Sequence, residues 1–223
     1  MPIPKLPIVI LISGSGSNLQ AIIDAAENNA LPVEIRAVIS NRPEAMGLQR
    51  ASRAGLRTEV VDHTQYENRA AFDTALAACI DQFEPRLVVL AGFMRLLTDE
   101  LVNRHLGRMM NIHPSLLPMF KGLNTHARAL AAFHRGEITE HGASVHFVTP
   151  ELDGGPVIIQ ARVPIETDDT PESLATRVLS VEHKIYPLAI RWFAEGRLRL
   201  QSNKVWLDDE PLAAPVQFAP EDN

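Results

Sequence analysis

The chain has 223 residues, of which 46% are hydrophobic and 22% charged, a composition typical of a folded globular domain and not of a disordered chain. Its 21 Lys and Arg against 27 Asp and Glu give a formal net charge of -6. Because no excess of positive charge is present to neutralise a nucleic-acid backbone, we expect small-molecule partners and no nucleic acid.

The cysteine content and the apolar runs indicate the cellular setting. Cys79 is the only cysteine, so the chain forms no internal disulfide and has no thiolate cluster for zinc. The apolar run after Pro7 is too short for the hydrophobic region of a signal peptide. No stretch approaches the roughly eighteen consecutive apolar residues of a membrane span. We therefore expect a cytoplasmic protein that contacts no membrane.

Strand and helix patterns alternate through the first half of the chain. Ile8 to Ile12 is a continuous apolar run typical of a buried parallel strand, and apolar residues then recur at helical spacing from Leu19 to Ala26. The alternation continues with strands predicted over 33–40, 59–62, 87–91 and 108–112, and helices over 43–54, 68–83 and 99–106. This order predicts an α/β fold with a doubly wound, mostly parallel sheet and an N-terminal mononucleotide-binding half.

The second half of the chain has a different pattern. A loop over 115–123 and a helix over 125–135 come first. Two predicted strands, 141–148 and 157–163, then flank the turn Asp153-Gly154-Gly155, and we predict that they pair as a hairpin.

A long helix follows the hairpin. Thr170 is its predicted N-cap and Pro171 its first residue, while Pro187 is expected to kink or divide it. A small hairpin over 198–207 ends a single domain of residues 1–207. The Pro- and Ala-rich tail, 208–223, is expected to be disordered.

The loop Ser13-Gly14-Ser15-Gly16-Ser17-Asn18 lies between a buried strand and a helix. Its glycines allow backbone N–H groups to approach an anion, and the helix dipole favours negative charge there. A dinucleotide site would have a third glycine at Leu19 and an acidic residue in place of Ser40-Asn41, so the loop favours a phosphate monoester over NAD. The alternative is a tight turn in which Ser17 or Asn18 only caps the helix.

Asn111 and His113 lie at the carboxyl end of a predicted strand, where strand periodicity places both on one face. An amide donor beside an imidazole can hold an oxygen that becomes negative during a reaction. Asp153, in its glycine turn, commonly bonds only its own backbone in an Asx-turn. If the fold brings Asp153 to His113, the carboxylate favours the protonated imidazole and can relay a proton.

Other reactive side chains fit structural roles better. The eight histidines show no metal-binding spacing, so we expect no metal site. Ser115 lacks the Gly-x-Ser-x-Gly turn of an esterase nucleophile. Cys79 lies on the apolar face of a predicted helix and is expected to belong to the core.

Taken together, these segments make the chain resemble the phosphoribosylglycinamide formyltransferases. These enzymes of purine biosynthesis move a formyl group from 10-formyltetrahydrofolate to the amine of 5′-phosphoribosylglycinamide. The segments 111–118 and 152–155 are shared by folate-dependent formyltransferases and formyltetrahydrofolate hydrolase, whereas 13–19 and Val181-Glu182-His183 narrow the resemblance to the ribonucleotide enzymes. The resemblance covers Ile8 to about Leu207.

The resemblance implies a role for each matching position. The family's catalytic residues fall on Asn111, His113 and Asp153. Its residues for the phosphorylated substrate fall on Gly16, Ser17, Asn18, Pro114 and Glu182. Its folate-binding residues fall on Arg69, Met94, Arg95, Leu96, Leu97, Val102, Asn111 and Asp153, with 148–153 against the pterin and Ser144 and His146 supporting the site. One departure is Asn124, where related enzymes carry a histidine, so the role of that histidine is not carried over.

The implied reaction uses 10-formyltetrahydrofolate as co-substrate and no metal. The substrate amine attacks the formyl carbon, while Asn111 and a protonated His113 stabilise the oxyanion and Asp153 positions His113 and helps to move the proton. Formyltetrahydrofolate hydrolase and a non-catalytic phosphosugar-binding module remain as alternatives, and the chain is expected to be a monomer or a homodimer.

Overall fold

The computed structural model describes residues 5–219. Its strands are β1 (Leu6–Ile12), β2 (Val33–Ser40), β3 (Thr58–Val60), β4 (Leu87–Leu90), β5 (Met109–His113), β6 (Glu140–Phe147), β7 (Val157–Pro164), β8 (Leu198–Gln201), β9 (Lys204–Leu207), β10 (Glu210–Pro211) and β11 (Val216–Phe218). Its helices are α1 (Ser17–Glu27), α2 (Met46–Arg53), α3 (Arg69–Asp81), α4 (Asp99–Arg104), α5 (Thr125–His134) and α6 (Pro171–Ala194), with a 3₁₀ turn at His63–Gln65.

The main sheet has eight strands in the order β11-β7-β6-β5-β4-β1-β2-β3. The five strands β5, β4, β1, β2 and β3 pair in parallel. This confirms the predicted α/β class with its mostly parallel sheet. The apolar run of β1 is explained by helices on both faces. Ile8, Ile10 and Ile12 pack in the core that includes α1 and α6, whereas Val9 and Leu11 pack in the core that includes α3.

The strands β6 and β7 form the predicted antiparallel hairpin, and β6 also pairs antiparallel with β5. In this register Asn111 lies opposite His146 and His113 opposite Ser144, so four polar residues share one face of the sheet. The turn of the hairpin begins beside the start of β5, where the N–H of Val148 donates to the carbonyl of Met109.

Two expectations about the C-terminal part need correction. Pro187 lies inside α6, so the expected division of the helix does not occur, and Thr170 caps the helix by accepting the N–H of Ser173. The predicted disorder of the tail does not hold for 208–219, because β11 adds as a parallel strand to the edge of β7. Residues 220–223 of that tail lie outside the described residues. The hairpin predicted over 198–207 is present as β8 and β9.

Candidate active site

The glycine loop between β1 and α1 is shaped by a close contact with α2. Gly16 is the N-cap of α1 with a φ of 70°, and no side-chain cap is found on this helix within the described chain, which argues against the interpretation that Ser17 or Asn18 caps it. A Cβ on Gly16 would lie 2.6 Å from the Cα of Gly47. Both the left-handed backbone and the contact therefore require glycine. Gly47 was not identified from the sequence, because nothing local marks it as a neighbour of the loop.

The loop lines a cavity of about 230 Å³. The predicted residues Gly16, Ser17 and Asn18 all line it. Arg42 also lines it and was missed, although its place just after β2, at the ligand-binding end of a parallel sheet, is a usable signal. Backbone N–H groups at a helix N-terminus beside a guanidinium form a site suited to a phosphate.

Glu182 reaches this loop from α6. The amide Nδ2 of Asn18 donates to Oε2 of Glu182 at 2.7 Å, across 164 residues of sequence. Burial raises the pKa of the Glu182 carboxyl to about 7. Pro114 is half-buried directly after His113. Within the described chain, neither Glu182 nor Pro114 lines the cavity of the glycine loop.

The predicted catalytic residues lie together although they come from distant parts of the chain. Nδ1 of His113 is 3.4 Å from Oδ2 of Asp153, and both side chains are buried. Nδ2 of Asn111 is 3.2 Å from Nε2 of His146. The other carboxylate oxygen of Asp153 is 3.9 Å from the same Nε2. Asp153 thus lies beside both His113 and His146, and His146 in turn contacts the amide of Asn111.

The backbone of the β6–β7 turn holds Asp153 in this position. Asp153 has a φ of 47°, in the left-handed region, and its Oδ2 accepts the N–H of Gly122 at 2.8 Å. A Cβ on Gly155 would lie 1.8 Å from the carbonyl oxygen of Phe147, so the turn closes only with glycine there. The turn runs from beside Met109, at one end of β5, back to His113 at the other end. The sequence alone does not reveal this path, so it could not predict that Asp153 lies beside His113.

The hydrogen bonds of His146 identify its tautomer. Its Nδ1 is 2.9 Å from the carbonyl of Phe147, which can only accept, so Nδ1 carries the proton. Burial lowers the pKa of His146 to about 4, which keeps the ring neutral at pH 7. Its Nε2 therefore accepts one N–H of Asn111, and the second N–H of that amide is available for a ligand.

His113 lies between two acceptors. Its Nε2 is 3.0 Å from the carbonyl of Phe120, so this nitrogen carries a proton, and its Nδ1 faces Asp153. A ring protonated on both nitrogens satisfies both acceptors. The loop that carries Phe120 is braced by Ser144, whose Oγ donates to the carbonyl of Ser115 and accepts the N–H of Leu117.

A second cavity, of about 290 Å³, lies beside these residues. Seven of the residues implied for folate line it: Arg69, Arg95, Leu96, Leu97, Val102, Asn111 and Asp153. The segment 148–152 and His146 also contribute to its wall. Met94 does not belong to this set: the residue is 65% exposed and lines the glycine-loop cavity instead, whereas its neighbours Phe93 and Arg95 line the second cavity.

Within residues 5–219 we find no group of three or more His, Cys, Asp or Glu side chains placed to hold a metal ion. Over the same range, none of the helices is both long and apolar enough to span a bilayer.

A sequence profile described as formyl transferase matches residues 6–190. The chain belongs to this family. Within it, the phosphoribosylglycinamide formyltransferase of Escherichia coli (strain K12) is 52% identical over 205 residues, which cover 92% of this chain and 95% of that protein. The human trifunctional purine biosynthetic protein adenosine-3 is 43% identical over 92% of this chain, which corresponds to 20% of that longer protein.

Solved formyltransferase structures have the same fold. The phosphoribosylglycinamide formyltransferase of Coxiella burnetii has a TM-score of 0.90 at 55% identity, covering 96% of this chain and all of that one (100%). Glycinamide ribonucleotide transformylase 1 of Symbiobacterium toebii has a TM-score of 0.86 at 45% identity, covering 91% of this chain and 94% of that one. The family resemblance expected from the sequence motifs is therefore confirmed over nearly the whole chain.

Proposed function

We propose that this protein transfers the formyl group of 10-formyltetrahydrofolate to the amine of 5′-phosphoribosylglycinamide, a step of purine biosynthesis. Membership of the formyl transferase family and the names of its relatives support this reaction. The observation that carries the assignment of residues is the 3.4 Å approach of Asp153 to His113, beside two cavities that share the 91–97 segment.

Each cavity suits one substrate. The glycine-loop cavity offers N–H groups and Arg42 to the phosphate of the amine substrate. The second cavity has apolar walls, among them Leu96 and Leu97, for a flat pterin. Arg69 and Arg95 at its edge supply charge for the carboxylate end of a folate. The two cavities are lined by residues of the same 91–97 segment, and Asn111 lies in the wall of the second, so substrates held in the two cavities bring the amine and the formyl group to Asn111.

The residues of the site then stabilise the charge that develops. As the amine nitrogen bonds to the formyl carbon, the carbonyl electrons move to oxygen, and collapse of this oxyanion breaks the bond to the folate nitrogen. The free N–H of Asn111 and the protonated ring of His113 hold the oxyanion. For Nε2 of His113 to reach it, the carbonyl of Phe120 must yield its hydrogen bond, so the 115–123 loop adjusts when substrates bind.

Asp153 keeps His113 oriented. Its Oδ2 lies 3.4 Å from Nδ1 of the ring, and the same oxygen accepts the N–H of Gly122. The attacking amine loses one proton and the folate nitrogen gains one, so no net proton is consumed. Asp153, directly or through water, carries this proton between the two nitrogens.

The proposed partners are thus two small molecules, with the protein acting in the cytoplasm as a monomer or a homodimer. The net charge of -6 supports the exclusion of nucleic acid.

The decisive assay follows formation of tetrahydrofolate spectroscopically with phosphoribosylglycinamide present or absent. We expect turnover only with the amine. Turnover without amine identifies a hydrolase, and binding of the phosphosugar without turnover identifies a binding module. Arg69→Ala should weaken folate binding. The matched control for loss of an arginine is Arg86→Ala, which should match the wild type because Arg86 lies directly before β4 and lines neither cavity.

A further inference from the structure

A buried carboxylate in α3 takes no part in the reaction described above. Asp73 is only 2% exposed, and it lies between Phe72 and Leu76 in a helix that otherwise contributes apolar side chains to the core. Its Oδ1 has no hydrogen-bond partner within the described part of the chain. A buried carboxylate with few partners costs stability relative to an apolar residue, so packing does not account for it.

Asp73 makes a hydrogen bond to Thr98, which directly follows Leu97 in the wall of the second cavity and itself lines a separate cavity between α3 and α4. The Oδ2 of Asp73 accepts the backbone N–H of Thr98 at 2.5 Å. Thr98 is the N-cap of α4, and its hydroxyl accepts the N–H of Leu101 at 3.4 Å. The carboxylate therefore fixes the point where the cavity wall passes into the helix that carries Val102.

The same helix supports this wall at a second point. The guanidinium of Arg95 lies 5.9 Å from the ring centroid of Phe72, the residue before Asp73. Arg69, one helical turn before Asp73, lines the cavity itself. The first two turns of α3 thus place Arg69 in the wall of the cavity, while Phe72 and Asp73 contact the 95–98 segment from behind that wall.

We propose that Asp73 is a positioning residue for the folate: it holds the 95–98 segment in the conformation that binds the pterin, without touching either substrate. This inference rests on the proposed function. Because the residues on either side of Thr98, Leu97 and Asp99, line the second cavity and not the glycine-loop cavity, removing the contact should weaken folate binding and leave the phosphorylated substrate unaffected.

The test compares Asp73→Ala with Asp73→Asn. Loss of a hydrogen bond to a charged group corresponds to roughly a tenfold loss of affinity or more, so Asp73→Ala should weaken tetrahydrofolate binding, and raise the KM for the formyl-folate co-substrate, by about tenfold. The KM for phosphoribosylglycinamide and kcat at saturating folate should stay within about twofold. In Asp73→Asn the amide oxygen still accepts the N–H of Thr98, and folate affinity should return to within about threefold of the wild type.

Asp81→Ala is the matched control, because Asp81 is a carboxylate of the same helix that pairs with Arg104 of α4 and does not contact the 95–98 segment. It should leave both KM values unchanged. If Asp73→Ala does not fold, Asp73→Ser takes its place, since a serine hydroxyl is one bond too short to reach the same N–H.

Direct binding separates the two ways of failing. Tetrahydrofolate titrated calorimetrically into the wild type needs no turnover. A wild type that binds tetrahydrofolate but transfers no formyl group contradicts the proposed function alone. Wild-type tetrahydrofolate affinity in Asp73→Ala, an equal rise of both KM values, or failure of Asp73→Asn to recover affinity overturns the positioning role.

Discussion

Replacing Glu182 by Gln tests the electrostatics of the link between α6 and the glycine loop. The substitution keeps the shape of the side chain and leaves an amide oxygen that accepts the N–H of Asn18, but it removes the ionisable proton. Burial raises the pKa of the Glu182 carboxyl from 4.5 to about 7, so the folded protein favours the protonated acid.

The sign of the effect follows from this rise. Below pH 4.5 the carboxyl is protonated in both the folded and the unfolded chain, and its contribution to the free energy of unfolding is fully present. As the pH rises, the unfolded chain ionises first, and the contribution is lost until the pH passes about 7. At ~1.36 kcal/mol for each pKa unit, the loss amounts to about 3 kcal/mol.

The assay is denaturant unfolding of the wild type and Glu182→Gln at intervals from pH 4.5 to 8. We expect Glu182→Gln to gain about 3 kcal/mol on the wild type across this range and the difference to level off above pH 7. Glu172→Gln is the matched control, since Glu172 lies on the exposed first turn of the same helix and hydrogen bonds lower its pKa. A stability difference between Glu182→Gln and the wild type that does not change with pH refutes the reasoning.

Three further predictions concern the acid, the glycine loop and the tail. Asp153→Asn removes the charge that faces His113 and should lower kcat about a hundred- to a thousandfold with little change in either KM; steady-state rates near those of the wild type would exclude Asp153 from the mechanism. Gly16→Ala forces a Cβ against Gly47 and should lower the free energy of unfolding by about 2 to 4 kcal/mol, measured with denaturant. Gly14→Ala, whose Cβ meets nothing within 4 Å, should cost less than about 1 kcal/mol, and equal losses would contradict the packing argument. Deleting 215–223 uncovers the edge of β7 and should cost about 2 to 3 kcal/mol, so an unchanged melting transition would show that β11 does not stabilise the sheet.

Local patterns were sufficient to predict most elements of the fold up to Leu207. The strand predicted over 33–40 coincides with β2. The segment is rich in β-branched residues and is followed by the polar residues Asn41 and Arg42, which mark its end. Thr170 and Pro171 predicted the start of α6 correctly, since a side-chain cap and a fixed φ depend only on neighbouring residues. The placement of Asn111 and His113 on one face likewise needs only the period of a strand.

Tertiary contacts decided what local patterns could not. The approach of Asp153 to His113 depends on a turn that starts at one end of β5 and folds back to the other, a path set by β6 pairing antiparallel. The resemblance implies that Met94 binds folate together with its neighbours, but Met94 lines the glycine-loop cavity and not the second cavity. The tail gains its strand only because β7 offers an unpaired edge, which composition does not reveal.

The closure of the β6–β7 turn has an evolutionary consequence. The N–H of Phe147 donates to the carbonyl of Pro156, so the segment between them is closed at its base, and changes within it, other than at Gly155, need not disturb the strands on either side. The cavity proposed for the acceptor phosphate, by contrast, is lined by the first loop of the chain, more than a hundred residues earlier. Under the proposed assignment of the two cavities, substitutions in the first loop and in the β6–β7 turn act on different substrates, so one of these segments can diverge while the other is kept.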